Sequence, residues 1–62
     1  MTEREFEVLE KLSHGLSNKE IARELELTEN TVKFHLKSVF AKLSVSKRSQ
    51  AILEAQRRGL IA

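Results

Sequence analysis

Four side chains in the middle of the sequence stand at intervals of three and four residues, the spacing that places side chains on one face of an α-helix. They are Asn30, Lys33, Phe34 and Lys37. A lysine can donate hydrogen bonds to O6 and N7 of guanine, an asparagine can recognise adenine, and a phenylalanine ring can pack against the methyl group of thymine. The pattern therefore indicates a helix face with the chemistry needed to contact base edges in the major groove of DNA.

These side chains also have ordinary structural interpretations. Lys33 could pair with Glu29 one turn earlier, an interaction that stabilises a helix by about 0.2–0.5 kcal/mol. Phe34 could be one of the isolated exposed apolar residues that most protein surfaces carry. Lys37 is more informative, because Lys33 and Ala41 stand one turn away on either side and leave it without an acidic partner on its own helix. An unpaired lysine on this face favours an anionic partner.

Other kinds of chemistry find little support in the sequence. The chain has two histidines, His14 and His35, and no cysteine. Neither histidine is accompanied by a cluster of carboxylates at metal-ligand spacing, so a structural or phosphate-bonded histidine is favoured. Because a nucleophile–base pair and a glycine-rich phosphate loop are also absent, we predict no catalysis, no metal and no cofactor.

Composition and charge limit the size, location and partners of the protein. The 62 residues predict a single domain over residues 1–62, whose thin core removes only about 60% of the unfolded surface from water. The sequence has no signal peptide and no run near the ~20 apolar residues of a membrane span, so a cytoplasmic protein is expected. Residues 1–30 carry four Lys or Arg against eight Glu, whereas residues 31–62 carry seven against one. This concentration of basic residues indicates either nucleic acid as partner or a solvated basic surface.

Helices are the predicted elements, because the chain lacks proline and is rich in Leu, Glu, Lys, Ala and Arg. Capping boxes at residues 2–5 and 17–20 start the first two helices, and Gly15 ends the first. The glutamates of the first helix are expected to form a solvated face. The residues predicted to face inward from these two helices are Phe6, Val8, Leu9, Leu12, Ile21, Ala22 and Leu25.

A third and a fourth helix follow. Thr28 caps the third helix, and Ser44 stands where a residue of left-handed conformation would end it. Ser46 is predicted to cap the fourth helix, which runs to Gly59. The residues predicted to face inward from these helices are Val32, Leu36, Val39, Phe40, Leu43, Ala51, Ile52 and Ala55.

The short second helix, the turn and the longer third helix together predict a helix-turn-helix, whose second member enters the major groove. Over essentially its whole length the sequence resembles the LuxR/FixJ (GerE-like) DNA-binding domain. The segments that carry the resemblance are Thr2-x-Arg4-Glu5-x-Glu7-Val8-Leu9, Gly15-Leu16-Ser17-Asn18-Lys19-Glu20-Ile21-Ala22, Leu25-x-Leu27-Thr28-x-x-Thr31-Val32-Lys33-x-His35-Leu36 and Lys42-Leu43-x-Val45-x-x-Arg48. The resemblance implies an all-α, compact four-helix domain of a bacterial transcription regulator that binds specific sequences in double-stranded DNA.

The resemblance also implies which residues contact DNA. Base contacts fall on Lys33, Phe34 and Lys37, with Asn30 as a weaker candidate. The residues implied to contact phosphates are Asn18, Lys19, Thr31, Ser46, Lys47 and Arg48. Physical reasoning agrees, because the backbone amides and hydroxyls at helix N-termini are natural phosphate sites.

The fourth helix carries a leucine on its outer face. Leu53 lies away from Ala51 and Ala55 by helical periodicity, and its neighbours there are Ser49 and Gln56. An outward leucine among small polar groups suits a two-fold contact between fourth helices. We therefore expect a weak homodimer formed through Ser49, Leu53 and Gln56, with an isolated surface leucine as the alternative.

The sequence departs from the expected pattern at two turns. Glu26 stands where many helix-turn-helix sequences have glycine, and Ser44 stands where this family usually has glycine. Both departures concern local turn geometry and stability, and neither removes a predicted DNA contact.

Two other functions fit the same residues: a helical protein-interaction module, and the polymerase-bound region of a sigma factor, which the pattern of the fourth helix disfavours. RNA polymerase is a further candidate partner of a regulator. The resemblance implies a larger parent protein with a receiver, ligand-binding or nucleotide-binding module, although Met1 could instead begin a complete short regulator.

Overall fold

All 62 residues are described in the computed structural model of the protein, and they form four helices and no strand. The helices are α1 (Glu3–Ser13), α2 (Asn18–Leu25), α3 (Glu29–Leu43) and α4 (Arg48–Arg57). The predicted all-α fold with a helix-turn-helix, formed by α2 and α3, is confirmed. None of the four helices combines the length and the apolar character needed to cross a membrane.

Three of the four helices begin at a hydroxyl that caps them. The side chains of Thr2, Ser17 and Thr28 each accept a hydrogen bond from the backbone amide three residues later. The fourth helix begins differently from the prediction, because its N-cap is Lys47, which makes no side-chain cap. Ser46 is held instead by Gln50, whose Oε1 accepts from the Ser46 amide at 3.2 Å. Ser46 as the cap of the fourth helix was therefore wrong by one residue.

Every helix ends with the same hydrogen bond, from a backbone amide after the helix to the carbonyl five residues earlier. The amide of Val45 donates to the carbonyl of Phe40 at 3.0 Å, and equivalent bonds five residues long close the other three helices. Such an ending requires a left-handed residue. Glycine supplies it after α1 and α4, whereas Glu26 and Ser44 take the same conformation with φ 58°. The predicted left-handed end of α3 at Ser44 is confirmed.

The core lies around α3, which packs against all three other helices. Its predicted inward stripe is confirmed, because each of its four apolar residues is at most 7% exposed. The eleven buried apolar residues are Val8, Leu9, Leu12, Ile21, Ala22, Val32, Leu36, Val39, Leu43, Ala51 and Ala55. Ile52 and Phe40 are partly buried and pack at the edge of this cluster.

One inward prediction for α1 was wrong. Phe6 is 36% exposed, whereas its neighbour Glu5 is only 4% exposed. Since successive helical residues are rotated by about 100°, burying the face that contains Val8 and Leu9 brings Glu5 inward and turns Phe6 toward the surface. The expectation that the α1 glutamates are solvated therefore fails at Glu5.

Candidate nucleic-acid interface

An open groove of about 810 Å³ runs between the start of α2, the outer face of α3 and the start of α4. Its floor is apolar, and cationic and polar side chains stand around it. The lining residues are Leu12, Ser17, Asn18, Lys19, Glu29, Lys33, Leu36, Lys37, Phe40, Ala41, Val45, Ser46 and Arg48. Four separate stretches of sequence, with Leu12 of α1 as the first, thus converge on one surface.

The groove brings together six of the ten residues predicted to contact DNA. They are Asn18, Lys19, Lys33, Lys37, Ser46 and Arg48. Asn30, Thr31, Phe34 and Lys47 lie outside its lining. Phe34 is nevertheless 69% exposed, and its ring meets that of His35 edge-on with 5.9 Å between centroids. Thr31 belongs to the cap of α3, since its hydroxyl lies 2.9 Å from that of Thr28.

The lysines of this surface have no internal partner. The molecule contains five ion pairs, and none of them includes Lys19, Lys33, Lys37 or Lys47. The simple helix pair between Lys33 and Glu29 is therefore not formed. Because all four lysines are exposed, their positive charge is available to an anion outside the protein.

Arg48 has an internal role that the sequence did not reveal. Its guanidinium donates hydrogen bonds to the carbonyl oxygens of Leu12, at 3.3 Å, and of Leu16. Leu12 lies in the last turn of α1, and Leu16 lies in the turn that follows it. Arg48 thereby joins the end of α1 to the start of α4 and fixes one wall of the groove.

Glu5 is a second internal contact that sequence reasoning missed. Its carboxylate accepts hydrogen bonds from Lys42 Nζ at 2.7 Å, Ser38 Oγ at 2.6 Å and the Thr2 amide at 2.8 Å. These bonds, from Lys42 first, then Ser38 and Thr2, lower the pKa of Glu5 from 4.5 to about 2. The capping box identified the contact with Thr2, but the partners on α3 are 33 and 37 residues away in sequence. The Glu5 cluster, meaning Glu5 with Thr2, Ser38 and Lys42, ties α1 to the flank of α3.

The outer face of α4 carries the residues predicted to form a dimer. Leu53 is 67% exposed, which confirms its outward orientation. Ser49 and Gln56 are exposed on the same helix, and the Gln56 amide donates to the carbonyl of Ala62 at 3.3 Å. Glu54 lies beside this face and bonds to Arg57 and Arg58, which lower its pKa to about 2. The contact of Leu53 with a second copy stays a prediction.

The site contains no arrangement suited to a metal, because no three His, Asp or Glu side chains come close enough to hold an ion. What the geometry offers is a surface of unpaired cations and exposed polar groups around a helix-turn-helix. Fold and surface together define the class of helix-turn-helix regulators.

Comparison with known proteins specifies the family. The family model described as bacterial regulatory proteins, luxR family, matches residues 1–55. The transcriptional regulatory protein LnrK of Bacillus subtilis is 50% identical over 60 residues, which are 97% of this chain and 27% of LnrK. The nitrate/nitrite response regulator protein NarP of Escherichia coli is 50% identical over 60 residues, which are 95% of this chain and 28% of NarP. This chain thus spans about a quarter of the length of these relatives.

A solved structure gives the same answer for the fold. The transcription factor GerE superposes with a TM-score of 0.92 at 42% identity, over 100% of this chain and 92% of that one. The chain belongs to the LuxR family of bacterial regulatory proteins, and it is the helix-turn-helix DNA-binding domain of such a regulator. The family is one of transcription regulators and not of enzymes.

Proposed function

We propose that this domain binds specific sequences of double-stranded DNA with the outer face of α3 in the major groove. The observation that carries the proposal is the pair of unpaired lysines, Lys33 and Lys37, which stand one turn apart in a groove between the starts of α2 and α4. In this arrangement Lys33 and Lys37 donate to guanine, while Phe34 and Asn30 contact neighbouring bases.

The dimensions of α3 support this docking. Its 15 residues span about 22 Å at about 1.5 Å per residue, and the major groove of about 12 Å width admits an α-helix. Phe34 is 69% exposed on the same face. An exposed ring on an otherwise polar face gains contact area when it meets a thymine methyl group.

Phosphate contacts follow from the elements that flank α3. We assign them to Asn18 and Lys19 at the start of α2, to Thr31 on α3, and to the start of α4. That last set comprises Ser46, Lys47 and Arg48. The first amides of α4 have no side-chain cap, so they are free to donate to a phosphate oxygen. Because the Arg48 guanidinium already donates to the carbonyls of Leu12 and Leu16, we assign the phosphate contact of Arg48 to its backbone amide.

Salt titration with short duplexes tests the proposal. Sites are first selected with the 62-residue chain from a pool of random duplexes, and their affinity is then measured at several salt concentrations. Log affinity should fall with log salt by about 0.9 for each phosphate neutralised. The variant Lys47→Ala should flatten this slope by about one and weaken all sequences alike. No enrichment of any sequence, or binding insensitive to salt, would contradict the proposal.

We further propose that two domains pair through α4 when bound to DNA and thereby read two half-sites, as the output of a regulator that acts on RNA polymerase. Support comes from Leu53, which is 67% exposed on the side of α4 opposite the buried Ala51 and Ala55. Ser49 and Gln56 flank it with small polar groups. A contact of this size forms a weak dimer, since stable interfaces bury about 1,200 Å² or more.

The variant Leu53→Glu tests the pairing, because it places two like charges at the two-fold contact. Melting temperature and affinity for a single half-site should be unchanged, since Leu53 lies outside the core and outside the groove. Affinity for a duplex with two half-sites should fall by roughly tenfold or more, because linked binding exceeds single-site affinity. Equal affinity of both proteins for the double site would refute the dimer.

A further inference from the structure

Glu29 is the single acidic residue among those that line the groove. It is exposed in the first turn of α3, one turn before Lys33. None of the five ion pairs of the molecule includes it, although Lys33 and Lys19 line the same groove. Its carboxylate is therefore free to contact whatever occupies the groove.

A free carboxylate at this place opposes the general attraction between the groove and DNA. It puts a negative charge in the same groove as Lys33 and Lys37, where it repels the phosphates that these cations attract. An acidic residue in a first turn also stabilises the positive end of its helix. That effect does not require the side chain to face the groove, so it leaves the position of Glu29 unexplained.

A contact with the edge of a DNA base would explain why a carboxylate lies in this groove. In the major groove guanine and thymine present acceptors, and adenine presents its N6 amino donor next to the N7 acceptor, which would repel a carboxylate. Cytosine presents the N4 amino group as a donor with no acceptor beside it, and a carboxylate accepts from this group. The N-terminal residues of a recognition helix are those that approach the bases. We infer that Glu29 is a specificity-determining residue that accepts a hydrogen bond from the N4 amino group of a cytosine. The inference rests on the proposed docking of α3 in the major groove.

Two substitutions of the 62-residue chain test the inference against duplexes in which every position of the selected site is varied. The wild-type chain should prefer cytosine at one position by roughly 5- to 150-fold, the range of a good side-chain contact with a base. Glu29→Gln should move that preference to adenine, because an amide reads N6 and N7 of adenine. Glu29→Ala should abolish the preference there. Neither change should alter the preferences at other positions or the salt slope.

Glu3→Gln is the matched control. Glu3 is also an exposed, unpaired first-turn glutamate, but it lies on α1 outside the groove. Its substitution removes the same charge and should change affinity for all duplexes alike, with every base preference kept. The melting temperatures of all three variants should fall by similar small amounts, because each variant removes an exposed first-turn carboxylate.

The outcomes separate the two proposals. Wild-type binding that is specific and salt-dependent, with preferences that survive in Glu29→Gln and Glu29→Ala, would overturn the role of Glu29 and leave the docking of α3 intact. If Glu29→Gln and Glu29→Ala raised the affinity for all duplexes alike, as expected for Glu3→Gln, the role of Glu29 would also be overturned and the docking of α3 would stand. Absence of salt-dependent duplex binding by the wild-type chain would overturn both.

Discussion

Two lysines on α3 have opposite relations to the rest of the molecule. Lys42, on one flank, donates to the buried carboxylate of Glu5 at 2.7 Å and so joins α3 to α1. Lys37, on the other flank, lines the groove and has no acidic partner. The two side chains are chemically identical and belong to one helix, yet the charge of one is met inside the protein and that of the other is not.

Lys42 illustrates a charge that stabilises the fold through an internal ion pair, whereas Lys37 illustrates a charge that can bind a partner outside the protein. The Glu5 side chain is only 6% exposed, whereas that of Lys42 is 46% exposed, so salt screens this pair less than it screens two fully exposed charges. The groove lysines are exposed, and their interaction with an anion depends on salt. The same contrast explains how a chain of net charge +2 can present a strongly cationic surface.

The largest expected effect, on DNA affinity, comes from removing the unpaired Lys37, and it is compared with removal of the paired Lys42. Lys37→Ala should lower affinity for the selected duplex by roughly 5- to 150-fold and relax the preference at one base pair, with the melting temperature unchanged. Lys42→Ala, its matched control on the same helix, should lower the melting temperature because Glu5 loses its cation, while base preferences stay. Binding titrations and thermal melts of both variants measure this. If Lys42→Ala lost a base preference and Lys37→Ala did not, the flank of α3 that carries Lys42 would be the one that contacts DNA.

An intermediate effect is expected from acid. The pKa of Glu5 is lowered from 4.5 to about 2 in the folded protein, chiefly by Lys42, so its carboxylate binds fewer protons folded than unfolded. Its contribution to stability is therefore complete above pH 4.5 and is lost as the pH falls through that range toward 2. Glu5→Gln should lower the free energy of unfolding above pH 4.5, and its deficit should shrink toward pH 2.

Glu54 provides the control for the acid experiment, because Arg57 and Arg58 lower its pKa to about 2 as well. It stabilises only the exposed end of α4, so Glu54→Gln should reduce stability less than Glu5→Gln over the same pH range. Denaturant titrations at a series of pH values measure both. An equal pH dependence of stability in wild type and Glu5→Gln would exclude the Glu5 cluster as a stabilising element.

The smallest expected effect, on the stability of the fold, concerns Ser44, an uncharged residue at the end of α3. Ser44 has φ 58°, a conformation that costs a non-glycine residue about 1–2 kcal/mol, while glycine adds chain entropy worth about 0.5–1 kcal/mol. Ser44→Gly should therefore stabilise the fold by up to about 1 kcal/mol and leave DNA affinity unchanged. A thermal melt should show a rise of several degrees. A lower melting temperature would mean that the Ser44 side chain makes a stabilising contact.

The four helices and many of the side chains on their surfaces can be predicted from local sequence patterns. Hydroxyl caps at Thr2, Ser17 and Thr28 start three of the helices. Apolar residues spaced by three or four positions predict the buried stripe of α3. These signals are readable because a cap or a helix face depends on residues three or four positions apart. The same periodicity predicts that Lys33 and Lys37 lie on the outer face of α3.

The roles of Glu5, Lys42 and Arg48, in contrast, depend on how the helices pack against one another. The partners of Glu5 on α3 are 33 and 37 residues away in sequence. Arg48 donates to the carbonyls of Leu12 and Leu16, which are 36 and 32 residues away. Phe6 lies at the surface because the rotation of α1 against α3 buries Glu5 instead. The groove itself combines four separate segments. Such features depend on how whole helices cross, which is set by the packing of their faces and not by neighbours along the chain.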